Sequence, residues 1–372
     1  MVGRADEIPM VGMAAGYHGA GAGPRPEGRR AHAAMIVTTI APIRICDCGG
    51  WTDTWFARHG RVFNVAVGPC ATVRVETFAP TAHRPRLVIH AVDFGERYAP
   101  LRRPGAWDRH PLLEAAIDAL PVPDEVAMEV SVSCAVPPGA STGTSAAVTV
   151  ALLGALDRVR GGSMGRRDLA RAAHAVETDR LGQQSGIQDQ ICSAMGGLNL
   201  IEMTAYPEAD VRALPLSAAL RADLERRLTL VVLARGHRSS AVHERVIQRL
   251  AALGPECEEL DALRRAATAA AEAVVSGDLV ALGQAMADNT EAQRRLHPSL
   301  ICADAAQVIA VAREHGATGW KVNGAGGEGG SLTILGPAAE PAGGALRRAL
   351  GAAAPGARAI RVSLDFDGVR AW

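Results

Sequence analysis

"VPPGASTGTSAAVTVALLGAL" (residues 136–156) sets a loop of prolines, glycines and hydroxyl residues directly against an apolar run. Gly139 and Gly143 let the backbone turn tightly and approach a ligand with no Cβ in the way. The run that follows has the composition of a buried helix. A helix starting here turns its unpaired N–H groups and the positive end of its dipole toward the loop. That arrangement suits an anion, phosphate above all. Thr144 and Ser145 would cap the helix, or hold phosphate oxygens and a Mg²⁺ bound to them. No Gly-Lys-Ser/Thr follows, so this is not a Walker A loop.

Two further glycine-bearing segments stand out. In "KVNGAGGEGGSLTIL" (residues 321–335), Gly324, Gly326, Gly327, Gly329 and Gly330 lie between two strand-like runs. A hairpin turn needs one or two glycines. The surplus suits either a loop pressed against a ligand or a flexible surface hairpin. In "APIRICDCGGWTDTW" (residues 41–55), Gly49 and Gly50 end a strand, and Trp51, Thr52 and Asp53 follow. A carboxylate beside an aromatic ring suits a sugar; a solvated turn has the same composition.

The 372 residues are enough for two domains or one large one. Basic and acidic side chains balance at 39 each, which advertises neither a nucleic-acid nor a membrane surface. Seven scattered cysteines with no CxxC pair fit reduced thiols in a cytoplasmic protein better than a disulfide framework. Cys46 and Cys48 lack the second half of a metal site. No apolar run is long enough to span a bilayer. Residues 1–34 lack periodicity and a signal-peptide core, and read as a disordered extension.

Strand-like alternation marks residues 36–45, 61–78, 85–92 and 125–136. "GRRDLARAAHAVETDRLG" places Leu169, Ala172, Ala173, Val176 and Leu181 on one helical face. Beyond residue 210 come a buried strand, long Ala- and Leu-rich helices over 241–316, and the glycine hairpin. Helices follow runs of strands without strict alternation, so an α+β class with two halves divided near residue 210 is expected.

Together these segments resemble the GHMP kinases, the galactokinase, homoserine kinase, mevalonate kinase and phosphomevalonate kinase superfamily. The run from Pro137 through Pro138, Gly139, Ser141, Thr142, Gly143, Thr144 and Ser145 to Ala147 is similar to the family's Pro-Pro-Gly…Gly-Ser-Ser-Ala-Ala motif. Residues 324–329 are similar to its glycine-rich third motif, with Glu328 in place of a glycine. "GIQDQICSAMGGLN" (residues 186–199) resembles the Asp-Gln segment of galactokinases, fucokinases and heptose kinases, and residues 41–54 resemble the first motif of the latter two. The resemblance covers roughly residues 36–335.

It implies a two-domain α+β fold: an N-terminal ribosomal-protein-S5-like domain over 35–210 and a C-terminal ferredoxin-like domain over 211–372. It implies an ATP- and Mg²⁺-dependent sugar 1-kinase, with small-alcohol kinase of homoserine or mevalonate type, or a non-catalytic sugar and nucleotide sensor, as alternatives. Asp189 inherits the role of base and Arg44 that of its neighbour. Nucleotide falls to Pro138, Gly139, Ser141, Thr142, Gly143, Thr144, Ser145, Gly324, Gly326 and Gly327. Mg²⁺ falls to Ser145 and Glu177, and substrate to Gly50, Trp51, Thr52, Asp53, Gln188 and Arg238. Glu177 pairing with Arg171 or Arg180, and Asp189 capping the helix it precedes, are the competing structural readings. A phosphorylated sugar would need a second basic pocket, for which Arg58, His59, Arg61, Arg238 and His243 are candidates. Glu328 is expected to face solvent or a cation. Nucleic-acid and membrane partners are not expected, and a homodimer is left open.

Overall fold

The computed structural model describes residues 34–101, 106–234, 241–338 and 344–372. The expected extension, apart from Ala34, and Arg238 lie outside the described residues.

The first half runs β1 (Ile36–Cys48), β2 (Gly60–Phe78), β3 (Leu87–Ala91), β4 (Glu96–Tyr98), α1 (Pro111–Ala119), β5 (Ala127–Cys134), α2 (Thr144–Val159), α3 (Arg166–Ala175), α4 (Gln188–Met195), β6 (Leu198–Ala205) and β7 (Glu208–Ala213). The second runs α5 (Ala218–Arg227), β8 (Leu228–Val232), α6 (Ala241–Leu253), α7 (Glu258–Ser276), α8 (Leu279–Leu296), α9 (Ala303–Glu314), β9 (Gly319–Val322), β10 (Ser331–Leu335), α10 (Ala345–Ala352), β11 (Arg358–Arg361), β12 (Ser363–Leu364) and β13 (Arg370–Ala371). The expected strands, the helix after the quoted loop and the glycine hairpin are all present.

A large sheet has the path β13-β1-β2-β5-β3-β4, with β6, β7 and β12 attached through β2 and β6. Its pairs are antiparallel except β3 with β5. β2 is long enough to pair β6 through residues 60–65 and β5 through residues 71–78. Register with β1 shifts between Ala41 and Ile43, opposite Pro69, where a missing N–H cannot continue the ladder. Val37 and Ala41 pack in the core under α1 to α4, whereas Ile43 and Ile45 pack with α7 and α8. Both faces of the sheet are therefore covered.

A second, antiparallel sheet, β11-β8-β10-β9, packs against α9 and α10. The division expected near residue 210 falls within β7, and β12 and β13 return to the large sheet. β7 escaped the sequence reading because "EADVRA" is a mostly exposed strand of residues with low β-propensity. Among the described residues no helix is long and apolar enough to cross a membrane.

Candidate active site

α2 is apolar on nearly every side and buried from Ala146 to Val159 but for Val148 and Arg158. Such a helix holds its position in the core and cannot shift without opening it. Its N-cap is Gly143 (φ 65°), not Thr144 or Ser145, which are its first two helical residues. The hydroxyls of those two are thus not used as caps; Thr144 Oγ1 meets Thr142 Oγ1 at 3.1 Å. Ser141, a non-glycine, also has φ 55°, a conformation that costs energy and is found where function holds the backbone.

Arg44 on β1 holds this loop. Its backbone N–H donates to Thr142 O at 2.9 Å and its guanidinium donates to Ser141 O. The same guanidinium makes a two-point contact with Asp189: Nε to Oδ1 at 2.7 Å and NH2 to Oδ2 at 3.2 Å. A Cβ at Gly143 would stand 3.1 Å from Arg44 Cγ and 3.2 Å from Asp189 Cγ. Only glycine lets the loop lie this close to the pair with φ positive. Burial works against the Arg44 charge, but Asp189 and Asp47 outweigh it, and its pKa lies above the ordinary value. Asp189 is in the first turn of α4, whose N-cap is Ile187, so it does not cap the helix.

Two cavities meet at this pair. One, of about 490 Å³, is lined by Pro138, Gly139, Ser141 to Ser145, and by Phe94, His110 and Leu112. The other, of about 970 Å³, is lined by Gly50, Trp51, Asp53, Trp55, Phe56, Ser185, Gln188, His243 and Glu244. Arg44, Asp189, Gly324 and Ala325 belong to both walls.

The expected site residues divide accordingly. Gly50, Trp51, Asp53 and Gln188 converge on the larger cavity. Thr52 does not; it is fully buried, donating to Gly49 O at 2.7 Å and accepting from Arg61 N at 3.1 Å. Asp53 Oδ2 accepts from Gln188 N at 3.0 Å. Burial raises the Asp53 pKa to about 6; the bond from Gln188 opposes this and the Asp189 charge adds to it.

Of the third motif, Gly324 reaches both cavities, but Gly326 and Gly327 do not line either. Gly327 N donates to Leu300 O at 2.8 Å, and a Cβ at Gly326 would overlap that same carbonyl at 2.3 Å. These glycines dock the loop onto the protein. Glu328 is exposed. His243 is buried on the larger cavity, donating to Gly326 O at 3.0 Å, and burial lowers its pKa. His59 pairs with Glu256 at 2.8 Å and Arg61 with Glu202 at 2.9 Å; neither these two nor Arg58 line the cavity.

Glu177 sits in a π-helical turn, Val176–Arg180, that continues α3. Such turns rotate one residue out of the regular helical face. Glu177 is buried, and its Oε2 accepts from Ser185 Oγ at 2.7 Å and from Gln190 Nε2 at 2.8 Å. Its Oε1 is buried with no hydrogen-bond partner. Arg171 pairs instead with Glu208, and Arg180 with Asp118. Burial, helped by the Asp189 charge, raises the Glu177 pKa above its ordinary value, against the hydrogen bonds from Ser185 and Gln190. A buried carboxylate with one orphaned oxygen and no cationic partner among the described residues fits a hard cation.

Asp47, Lys321 and Ser185 were missed in the sequence. Asp47 lies beneath the shared wall, accepting from Gly324 N at 2.9 Å, 3.4 Å from Lys321 Nζ and 3.7 Å from Arg44 NH1. The signal was there: a charged residue between two cysteines, and a lysine within a short apolar strand.

Residues 111–197 match the family described as GHMP kinases N terminal domain. The chain is 31% identical over 223 residues to the mevalonate kinase of Methanothermobacter thermautotrophicus, covering 59% of this chain and 66% of that protein. It is 24% identical over 193 residues to the D-glycero-alpha-D-manno-heptose 7-phosphate kinase of Campylobacter jejuni, covering 51% and 56%. The chain thus spans just under two thirds, and rather more than half, of those relatives. A D-glycero-D-manno-heptose 1-phosphate kinase structure from Bacteroides thetaiotaomicron superposes with TM-score 0.67 at 19% identity, over 90% of this chain and 98% of the other. The expected fold is thereby met, and the mevalonate kinase is more alike in sequence than the heptose kinase. Residues 111–197 thus carry a GHMP kinases N terminal domain, and the chain is similar in sequence to mevalonate kinases and a heptose kinase and in fold to a sugar kinase.

Proposed function

We propose that the protein is an ATP-dependent kinase that phosphorylates the anomeric C1 hydroxyl of a sugar. The observation that carries this reading is the meeting of two cavities at the Arg44–Asp189 pair, one fronted by a helix N-terminus and the other by carboxylate, amide and aromatic side chains.

In the smaller cavity the Phe94 and His110 rings and Leu112 would take the nucleotide base. The loop from Pro138 to Ser145 and the first N–H groups of α2 would take the phosphates. Glu177 and Ser145 would hold Mg²⁺, which when bound neutralises phosphate charge. Asp189 orients the attacking hydroxyl and receives its proton, and Arg44 fixes the carboxylate on two points.

The acceptor side favours a neutral polyol. Among the described lining residues, Asp53, Asp189 and Glu244 face a single cation, Arg44, already committed to Asp189 and Ser141. A carboxylate-bearing acceptor such as mevalonate or homoserine would meet like charge there. A sugar offers hydroxyl donors to these acceptors and C–H faces to Trp51, Trp55 and Phe56. The test is ADP release over a panel of free sugars, sugar phosphates, mevalonate and homoserine, with phosphorus NMR on the product. Turnover of a sugar to its 1-phosphate is expected; turnover of mevalonate or homoserine alone would refute it.

A further inference from the structure

Ser185 lines the larger cavity and bonds through its hydroxyl to the buried Glu177. It is partly exposed on the wall of the larger cavity. Its hydroxyl lies 2.7 Å from Glu177 Oε2 and 3.0 Å from Gly186 O. A serine hydroxyl has one hydrogen to donate and two lone pairs to accept with. The carboxylate is the nearer partner, and a bond to a charged acceptor is the stronger one, so the hydrogen goes to Glu177. The lone pairs are left for a donor in the cavity.

The backbone here is pinned. The Tyr206 hydroxyl donates to Ser185 O at 3.1 Å, and Gln188 N donates to Asp53 at 3.0 Å. Ser185 can therefore respond to a ligand through its hydroxyl while its carbonyl stays fixed. On the far side, Glu177 Oε2 is held by Ser185 and Gln190, which leaves the buried Oε1 as the free oxygen.

We propose that Ser185 couples the two cavities: a substrate hydroxyl that donates to Ser185 Oγ strengthens the Ser185–Glu177 hydrogen bond and fixes Glu177 for the metal–nucleotide, so that acceptor and metal–nucleotide each tighten the other's binding. Hydrogen bonds in such a chain polarise one another, and the coupling is reciprocal by linkage. Ser185 is a positioning residue, and the inference rests on the kinase reading above, with Glu177 as a metal ligand.

The test is calorimetric binding, with no turnover. Mn²⁺·AMP-PNP is titrated into the protein with and without a sugar, drawn from D-mannose, D-galactose, L-fucose and D-glycero-D-manno-heptose. In the native protein the sugar should tighten Mn²⁺·AMP-PNP by about fivefold or more, the lower end of usual coupling. The ratio should fall to about one in Ser185→Ala and in Ser185→Cys, a weak donor of similar size, and persist in Ser185→Thr, which keeps the hydroxyl. Without metal, AMP-PNP should bind all variants alike. Coupling that survives in both Ser185→Ala and Ser185→Cys, or independent binding in the native protein, overturns the role of Ser185 and leaves the kinase reading standing. Failure of the native protein to bind Mn²⁺·AMP-PNP, or any of these sugars, overturns both.

Discussion

Asp53 is held in a place that favours its neutral form, and the consequence can be followed with pH. Its pKa in the fold is about 6 against an ordinary 3.8, chiefly through burial. The folded protein holds this proton more tightly than the unfolded chain. The contribution to stability is full below the ordinary value and is lost as pH rises through about 6. Asp53→Asn is neutral throughout and keeps an oxygen for Gln188 N. It should match the native protein near pH 4 and gain up to about 3 kcal/mol above pH 7, read from urea unfolding at both pH values. A constant difference between the two would contradict the burial argument. The same residue shows what that cost secures: Asp53→Ala should raise the KM for sugar about ten- to a hundredfold and leave that for ATP nearly unchanged. A rise confined to ATP would mean the first motif was misread. Asp189→Asn should lower kcat by about 10²–10⁴-fold with ATP affinity near native. Retention of more than about a tenth of kcat would remove Asp189 from the role of base.

At the scale of elements, small residues decide how closely neighbours approach. α8 crosses β9 where Gly283 meets Gly319, and a Cβ at Gly283 would stand 2.2 Å from Thr318 O. That atom is backbone, so the helix itself must move. Gly283→Ala should cost about 1–3 kcal/mol of stability, as overpacking usually does. Thr290 is on the same helix, and its hydroxyl meets Trp320 O at 3.1 Å and Val322 N at 3.3 Å. The contact lies away from both cavities, so KM for ATP and for acceptor should hold. Thermal unfolding checks the first statement and steady-state kinetics the second; an unchanged melting temperature would show that α8 shifts freely.

For the molecule as a whole, Asp47 at the end of β1 and Lys321 on β9 tie the large sheet to the small one beneath the active site. Both are about 99% buried in their side chains. Replacing one member of a buried pair leaves the other charge without its partner. Lys321→Met should destabilise by about 3 kcal/mol, the low end for such a loss, because Arg44 and Gly324 N still face Asp47. Adding Asp47→Asn should recover part of this in urea melts. If the single variant is as stable as the native protein, the pair contributes nothing to joining the sheets.

Local pattern was enough for much of this fold. The alternation in β1, β2 and β5, the apolar run of α2 and the glycine hairpin between β9 and β10 are set by neighbours a few residues apart. The same holds for the phosphate-type loop, since glycine placement before a buried helix is a local property. Partners distant in sequence were beyond it. That Asp47 meets Lys321, that Gly326 and Gly327 dock on Leu300 and line neither cavity, and that β12 and β13 return to the first sheet depend on how layers pack. Glu177 shows both limits. Its residue type and helix were legible, but its inward turn comes from a π-helical turn that periodicity does not encode, and its link to the acceptor cavity from Ser185, an unremarkable serine until the chain folds. A residue's type is fixed in the chain, but its burial and partners, and so its proton affinity and chemistry, are set only when the layers close around it.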